Sequence, residues 1–115
     1  MAFSPAERAT LLALARDSIR EGLGGLRLTL RADDYPPGLC APGASFVTLH
    51  IEDELRGCIG SLEARAPLAL DVASNAWNAA FRDPRFDPLT AREFARLDIH
   101  LSVLTSPEPM QFTSE

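Results

Sequence analysis

The chain has 115 residues, of which 46% are hydrophobic and 23% charged, and its formal net charge is −5. This length predicts a single domain, and an apolar content near the globular average excludes a disordered chain. No apolar run approaches the ~18 residues of a membrane span, and the first residues lack the basic and apolar regions of a secretory signal. We therefore expect a cytoplasmic protein with no membrane contact.

The charged and sulfur-containing residues exclude several classes of site. All 11 basic residues are arginines, scattered among 16 acidic residues, whereas a nucleic-acid-binding domain carries a basic stripe. Cys40 and Cys58 form no CxxC pair and no disulfide framework, and the two histidines lie apart from them without the short spacings of a zinc site. The sequence indicates neither a metal site nor a cofactor, and Cys40 is placed in a loop rich in proline and glycine.

The first predicted element is a helix over residues 4–21. Ser4 can cap it, Pro5 suits its first position, and Glu7 stands three residues after the cap, which is the spacing of a capping box. Gly22 is predicted to end the helix, because glycine adopts positive φ at low cost.

A hairpin with strands at 46–51 and 55–60 follows, since the hydrophobic period changes from helical to two. The preferred register places Ile51 opposite Leu55 across the turn, so that polar and apolar side chains separate onto two faces. The apolar face then carries Val47, Leu49, Ile51, Leu55 and Ile59, and the other face carries Thr48, His50, Arg56 and Cys58.

A second helix is predicted over residues 67–82, with Trp77 as an anchor in the core. The apolar face of this helix would contain Leu70, Ala73, Trp77, Ala80 and Phe81. The opposite face would be a solvated polar stripe of Asp71, Asn75, Asn78 and Arg82.

The last part of the chain predicts a turn, a short helix and a strand. Asp83 and Asp87 flank Arg85 in a segment that two prolines keep out of helix, which indicates a rigid corner held by an ion pair. Thr90 can cap a short helix to Ala95, and Glu93 stands three residues after Thr90, which is again the spacing of a capping box. Strict alternation predicts a strand at 97–104 with Leu97, Ile99, Leu101 and Val103 inward, and regular structure ends in the segment 106–109.

The predicted fold class is α+β. A small, mostly antiparallel sheet contains the strands at 46–51, 55–60 and 97–104, and the helices at 4–21 and 67–82 pack on it.

The segment Leu55-Arg56-Gly57-Cys58-Ile59-Gly60 resembles the LRGCIG signature of the AMMECR1 family. Residues 46–49, 79–89 and 99–104 also follow the family pattern, so the resemblance covers nearly the whole chain. In microbes the family is similar to component A of the AmmeMemoRadiSam set, which implies a Memo-like protein and a radical-SAM protein as partners. Family domains continue beyond the segment 106–109, which implies that residues 1–115 are the front portion of one AMMECR1-like domain and that an exposed edge supports self-association.

Two interpretations of this motif remain open. In the first, Cys58 is a nucleophile or thiol ligand of an enzyme, His50 or His100 is its base, and Arg56 clamps an anion. In the second, Gly57 and Gly60 permit close packing and Cys58 is a small buried hydrophobe in a binding or accessory module. We favour the second because the sequence yields no complete catalytic constellation. The candidate catalytic residues are Cys58, His50 and His100, and the candidate binding residues are Arg56, Gly57, Gly60 and Arg85.

Overall fold

The computed structural model describes residues 4–31, 34–104 and 109–114, and its elements confirm the α+β class. In chain order they are helix α1 (Pro5–Leu23), helix α2 (Pro37–Cys40), strand β1 (Ala44–Ile51), strand β2 (Glu54–Gly60), helix α3 (Leu68–Phe81), helix α4 (Ala91–Phe94), strand β3 (Leu97–Leu104) and strand β4 (Pro109–Ser114). Helix α2 is a single turn within a segment predicted to be loop, and it contains Cys40.

The strands form one antiparallel sheet in the order β2-β1-β3-β4. Strands β1 and β3 pair without interruption, which places Thr48 opposite His100 and His50 opposite Asp98. Strand β4 contradicts the prediction that regular structure ends in the segment 106–109. It starts at Pro109 and lies at the edge of the described sheet, where proline costs no ladder hydrogen bond.

Helix α1 begins as predicted and ends later. The Glu7 backbone N–H donates to Ser4 Oγ over 3.1 Å and the Ser4 N–H donates to the Glu7 carboxylate over 2.9 Å, which confirms the capping box. The helix ends at Leu23 and is capped by Gly24, not stopped at Gly22. Gly22 serves packing, because a Cβ there would lie 2.1 Å from the Phe81 ring.

The hydrophobic core lies between the sheet and the helices α1 and α3. Residues of β1 and β3 alternate between buried and half-buried, and the predicted inward residues of β3 are all buried. The largest fully buried side chains come from every layer: Leu11, Ile19, Leu39, Val47, Leu49, Leu68, Val72, Ile99, Leu101 and Val103. One face of the sheet is therefore packed against helices.

The buried surface of α3 differs from the predicted one. Trp77 is half-buried and is not part of the core, whereas Ala69, Ala73, Ala76, Ala79 and Ala80 of α3 are buried in it. The predicted solvated stripe is correct for Arg82, which is exposed, but wrong for Asn75, which is only 6% exposed, and for Asp71, which is half-buried. Both side chains are hydrogen-bonded to the start of β1 and to Ser61, as buried polar groups must be.

This polar network joins α3 to the sheet. Asp71 Oδ2 accepts hydrogen bonds from the Ser45 N–H over 2.8 Å and from its hydroxyl over 2.7 Å. Asp71 Oδ1 accepts one from the Ser61 hydroxyl over 2.6 Å, and the Asn75 amide donates to the Ser45 carbonyl over 3.0 Å. The network therefore fixes the ends of β1 and β2 against one helix.

Candidate functional site

The hairpin contains a bulge that the predicted register lacks. Cys58 lies opposite Thr48 and Gly57 opposite Leu49, as predicted, but nearer the turn Glu54 lies opposite Ile51. The turn is tight, because Glu52 and Asp53 both adopt positive φ. The register slips by one residue between the two regions, and Arg56 is the residue left without a partner on β1.

The bulge directs Arg56 into an internal ion pair. The residue is 9% exposed, and its Nε donates to Glu93 Oε2 over 2.6 Å. One Nη donates to the Asp87 carbonyl over 2.6 Å and to the other Glu93 oxygen over 3.1 Å. The hydrogen bond from Arg56 lowers the pKa of the Glu93 carboxyl. The predicted register, which places Arg56 beside Cys58 and His50, is therefore wrong at Arg56, and the guanidinium pairs with a carboxylate of the chain itself.

The two glycines of the motif are required by close packing, as the second interpretation predicts. A Cβ on Gly57 would lie 2.2 Å from the carbonyl oxygen of Ala79 in α3. A Cβ on Gly60 would lie 2.0 Å from the ring of Phe46. Both distances are far below van der Waals contact, so these positions hold packing surfaces together.

The turn after α3 covers the outer edge of β2. The Cys58 N–H points away from β1 and donates to Asp83 Oδ2 over 3.0 Å. Arg85 holds the same carboxylate through its Nε over 3.0 Å and its Nη over 2.6 Å. These hydrogen bonds, led by the one from the Arg85 side chain, hold the pKa of the buried Asp83 carboxyl well below its usual range. The predicted corner with an internal ion pair is thus confirmed for Asp83 and Arg85.

The face of the sheet opposite the helices carries the remaining candidate groups. The Cys58 sulfur lies 3.3 Å from Thr48 Oγ1, and the rings of His50 and His100 meet edge to face with centroids 4.6 Å apart. Cys58 is half-buried rather than buried, and among the described residues its thiol has the Thr48 hydroxyl as its hydrogen-bond partner. We call this surface the uncovered face; its members are Phe46, Thr48, His50, Cys58, Asp98, His100 and Ser102.

Comparison with known proteins decides the family. The AMMECR1 family profile matches residues 12–115. The chain belongs to the AMMECR1 family. It is 38% identical to a protein of Methanothermobacter thermautotrophicus over 99% of this chain and 61% of that protein. It is 47% identical to a protein of Sulfolobus acidocaldarius over 85% of this chain and 44% of that protein.

A solved structure agrees with this membership. The crystal structure of an uncharacterised protein from Pyrococcus horikoshii superposes with a TM-score of 0.76 and is 38% identical, over 85% of this chain and 51% of that one. This AMMECR1 chain therefore spans about half the length of the relatives that it matches.

The sequence did not predict two of the contacts that the segment 55–60 makes with the rest of this AMMECR1 chain. Asp83 was placed in the corner without its bond to the Cys58 N–H, and Glu93 was considered only as the cap partner of Thr90. No signal in a single sequence joins Arg56 to Glu93, which lies 37 positions away.

The described part of this AMMECR1 chain has neither a membrane-spanning helix nor a cluster of metal-binding side chains. No helix there is both long and apolar enough to cross a membrane. No group of three or more histidine, cysteine, aspartate or glutamate residues there has a geometry that could hold a metal ion.

Proposed function

We propose that this chain is a binding or accessory module that acts with Memo-like and radical-SAM partner proteins, and that the uncovered face is its contact surface. Membership of the AMMECR1 family supports the identity of the partners. One observation carries the choice of surface: a thiol, a hydroxyl and two imidazoles lie together on the sheet face that no described helix covers.

The polar groups of the motif support a binding rather than a catalytic role. Arg56 neutralises Glu93, and Asp83 neutralises Arg85, so both guanidinium groups have carboxylate partners within the chain. On the uncovered face, His50 Nδ1 is buried and has no hydrogen-bond partner in the described part of the chain, as is also true of the Arg56 Nη1 beside its ion pair. A buried polar atom without a partner is costly, and a docked protein can supply that partner.

The second candidate function is an enzyme or enzyme subunit that uses Cys58. The position of the Cys58 thiol on the uncovered face favours it, because a reactive cysteine must be accessible. This candidate needs an imidazole to act on the thiol, as His50 or His100 would. It predicts that His50→Ala or His100→Ala slows alkylation of Cys58 by iodoacetamide at neutral pH and leaves that of Cys40 unchanged.

The binding proposal is tested by co-purification with the Memo-like and radical-SAM proteins of the same organism. Ser102→Arg adds a large cation to the uncovered face and is expected to abolish the complex. Ala13→Arg is the matched control, because Ala13 is exposed on α1 and lies away from that face. Equal binding by the two variants, or no complex with the wild-type chain, would contradict the proposal.

Cysteine alkylation gives an independent readout of the same contact. Addition of the partner is expected to slow iodoacetamide labelling of Cys58 without changing that of Cys40, whose thiol donates to the Tyr35 carbonyl in a separate segment. Labelling of Cys58 at one rate with and without the partner would place the contact elsewhere. Light scattering of the chain alone tests the predicted self-association. At the β2 edge of the sheet the Cys58 N–H already donates to Asp83, so we propose that β4 is the edge that pairs with a second copy.

A further inference from the structure

A half-open cavity of about 200 Å³ lies on the helical side of the molecule, away from the uncovered face. The extended segment 26–30 forms one wall through Leu28 and Leu30. Helix α3 forms the other wall through Leu70 and Trp77. The cavity is thus mainly apolar and lies between this segment and α3.

Backbone and indole contacts keep the wall segment in place. The Leu26 N–H donates to the Glu21 carbonyl at the end of α1 over 3.0 Å, and the Trp77 Nε1–H donates to the Leu26 carbonyl over 3.2 Å. These two bonds tie the segment to both helices, so the cavity is a built feature of the fold and not a gap between mobile loops.

A cationic group stands at the mouth of this cavity. The Arg27 guanidinium stacks 3.9 Å from the centroid of the Trp77 ring, and one of its nitrogens donates to Asn78 Oδ1 over 3.2 Å. A guanidinium has five N–H donors in a fork that matches a carboxylate. Arg27 therefore keeps donors for a ligand while its plane remains fixed on the indole.

The cavity walls also provide polar atoms beside the apolar surface. The Ser18 hydroxyl donates to the Ala73 carbonyl over 2.7 Å, which leaves its lone pairs to accept a hydrogen bond. Ser74 is exposed at the opening. Within the described residues, the backbone groups of residues 28–30 make no hydrogen bond.

We infer that this cavity binds a small monocarboxylic acid with a compact apolar body. A dry cavity of about 150 Å³ is large enough for benzene, so the present volume holds a ring or branched chain of that size together with a carboxylate. The apolar body contacts Leu28, Leu30 and Leu70, and the carboxylate pairs with Arg27. This site is separate from the surface proposed for protein partners.

The test uses phenylacetate and the emission of Trp77, which is the single tryptophan of the chain. Phenylacetate is expected to change this emission in a saturable way, and the neutral 2-phenylethanol to bind about tenfold more weakly, the usual loss when a charged hydrogen bond is removed. Arg27→Gln should remove the difference between the two compounds. Arg82→Gln is the matched control, because Arg82 also lies over the Trp77 ring, at 5.4 Å, but does not line the cavity.

A second variant tests the position of the site. Ser74→Phe places a ring across the opening from an exposed position and should abolish the saturable change, while circular dichroism reports that the fold is retained. Phenylacetate binding that survives Ser74→Phe, equal affinity for the acid and the alcohol, or emission that changes linearly without saturation would overturn the inference. None of these readouts involves a protein partner, so their failure leaves the proposed function untouched.

Discussion

Substitution of Gly57 by alanine is the most direct test of how the motif works. The new Cβ would lie 2.2 Å from the Ala79 carbonyl oxygen, whereas carbon and oxygen atoms in contact stand about 3.3 Å apart or more. The obstacle is helix backbone, which cannot rotate away, so β2 and α3 must separate by about 1 Å. Such overpacking costs about 3 kcal/mol, the upper end of its usual range.

The measurement is thermal unfolding followed by circular dichroism. An unfolding entropy of about 2.1 cal/mol/K per residue gives about 0.24 kcal/mol/K for 115 residues, so Tm is expected to fall by about 12 °C. Gly60→Ala should cost less, because its obstacle is the Phe46 side chain, and Gly24→Ala should be nearly neutral, because its nearest atom is 3.5 Å away. A Gly57→Ala variant as stable as Gly24→Ala would refute the packing explanation.

The other predictions concern buried polar groups. Glu93→Gln should destabilise the chain by about 2 kcal/mol in urea unfolding, because the buried Arg56 guanidinium loses its charged hydrogen-bond partner. Adding Arg56→Met should recover most of the loss, and no recovery would contradict this reasoning. The pKa values of Asp83 and Glu93 are lowered in the folded chain, so both carboxylates stabilise the fold at neutral pH. The unfolding free energy should therefore fall as the pH drops below about 4. Urea titrations at several pH values measure this dependence, which the double variant Asp83→Asn with Glu93→Gln should flatten. Asn75→Ala should cost about 1 kcal/mol by the same measurement, because the Ser45 carbonyl loses the Asn75 amide but keeps the Ser61 N–H at 2.9 Å. An unchanged midpoint would mean that the network is dispensable.

Capping-box spacing and the alternation of apolar residues correctly predicted the helices and strands whose tertiary packing follows the same pattern. The capping boxes at Ser4 and Thr90 were read from their spacing and both are present. The alternation in β3 identified all four of its inward residues. Strand β4 was not predicted, because Pro109 was interpreted as the end of regular structure, although proline is acceptable where an edge strand begins.

The candidate site was harder to predict because its geometry depends on one extra residue. The period of two correctly placed Cys58 opposite Thr48, but no sequence signal marks the bulge that moves Arg56 into its ion pair with Glu93. Asn75 was assigned to solvent by its polarity, yet besides Asp71 in the same helix its partners are Ser45 and Ser61, which lie 30 and 14 positions away. Such contacts between distant residues are set by tertiary structure and leave no trace in a helical or alternating period.

The double role of Glu93 limits how this sequence can change over generations. Its carboxylate accepts hydrogen bonds from Arg56 in β2 and from the Thr90 N–H at the start of α4. A residue without a side-chain acceptor at position 93 leaves the buried Arg56 charge unpaired and also loses the bond to the Thr90 N–H that completes the capping box. A neutral residue at position 56 leaves the Glu93 carboxylate without its cation. Either first step is harmful alone, although the two together are tolerable. Positions 56 and 93 are therefore expected to be replaced as a pair during divergence, with the helix cap restored by a third change.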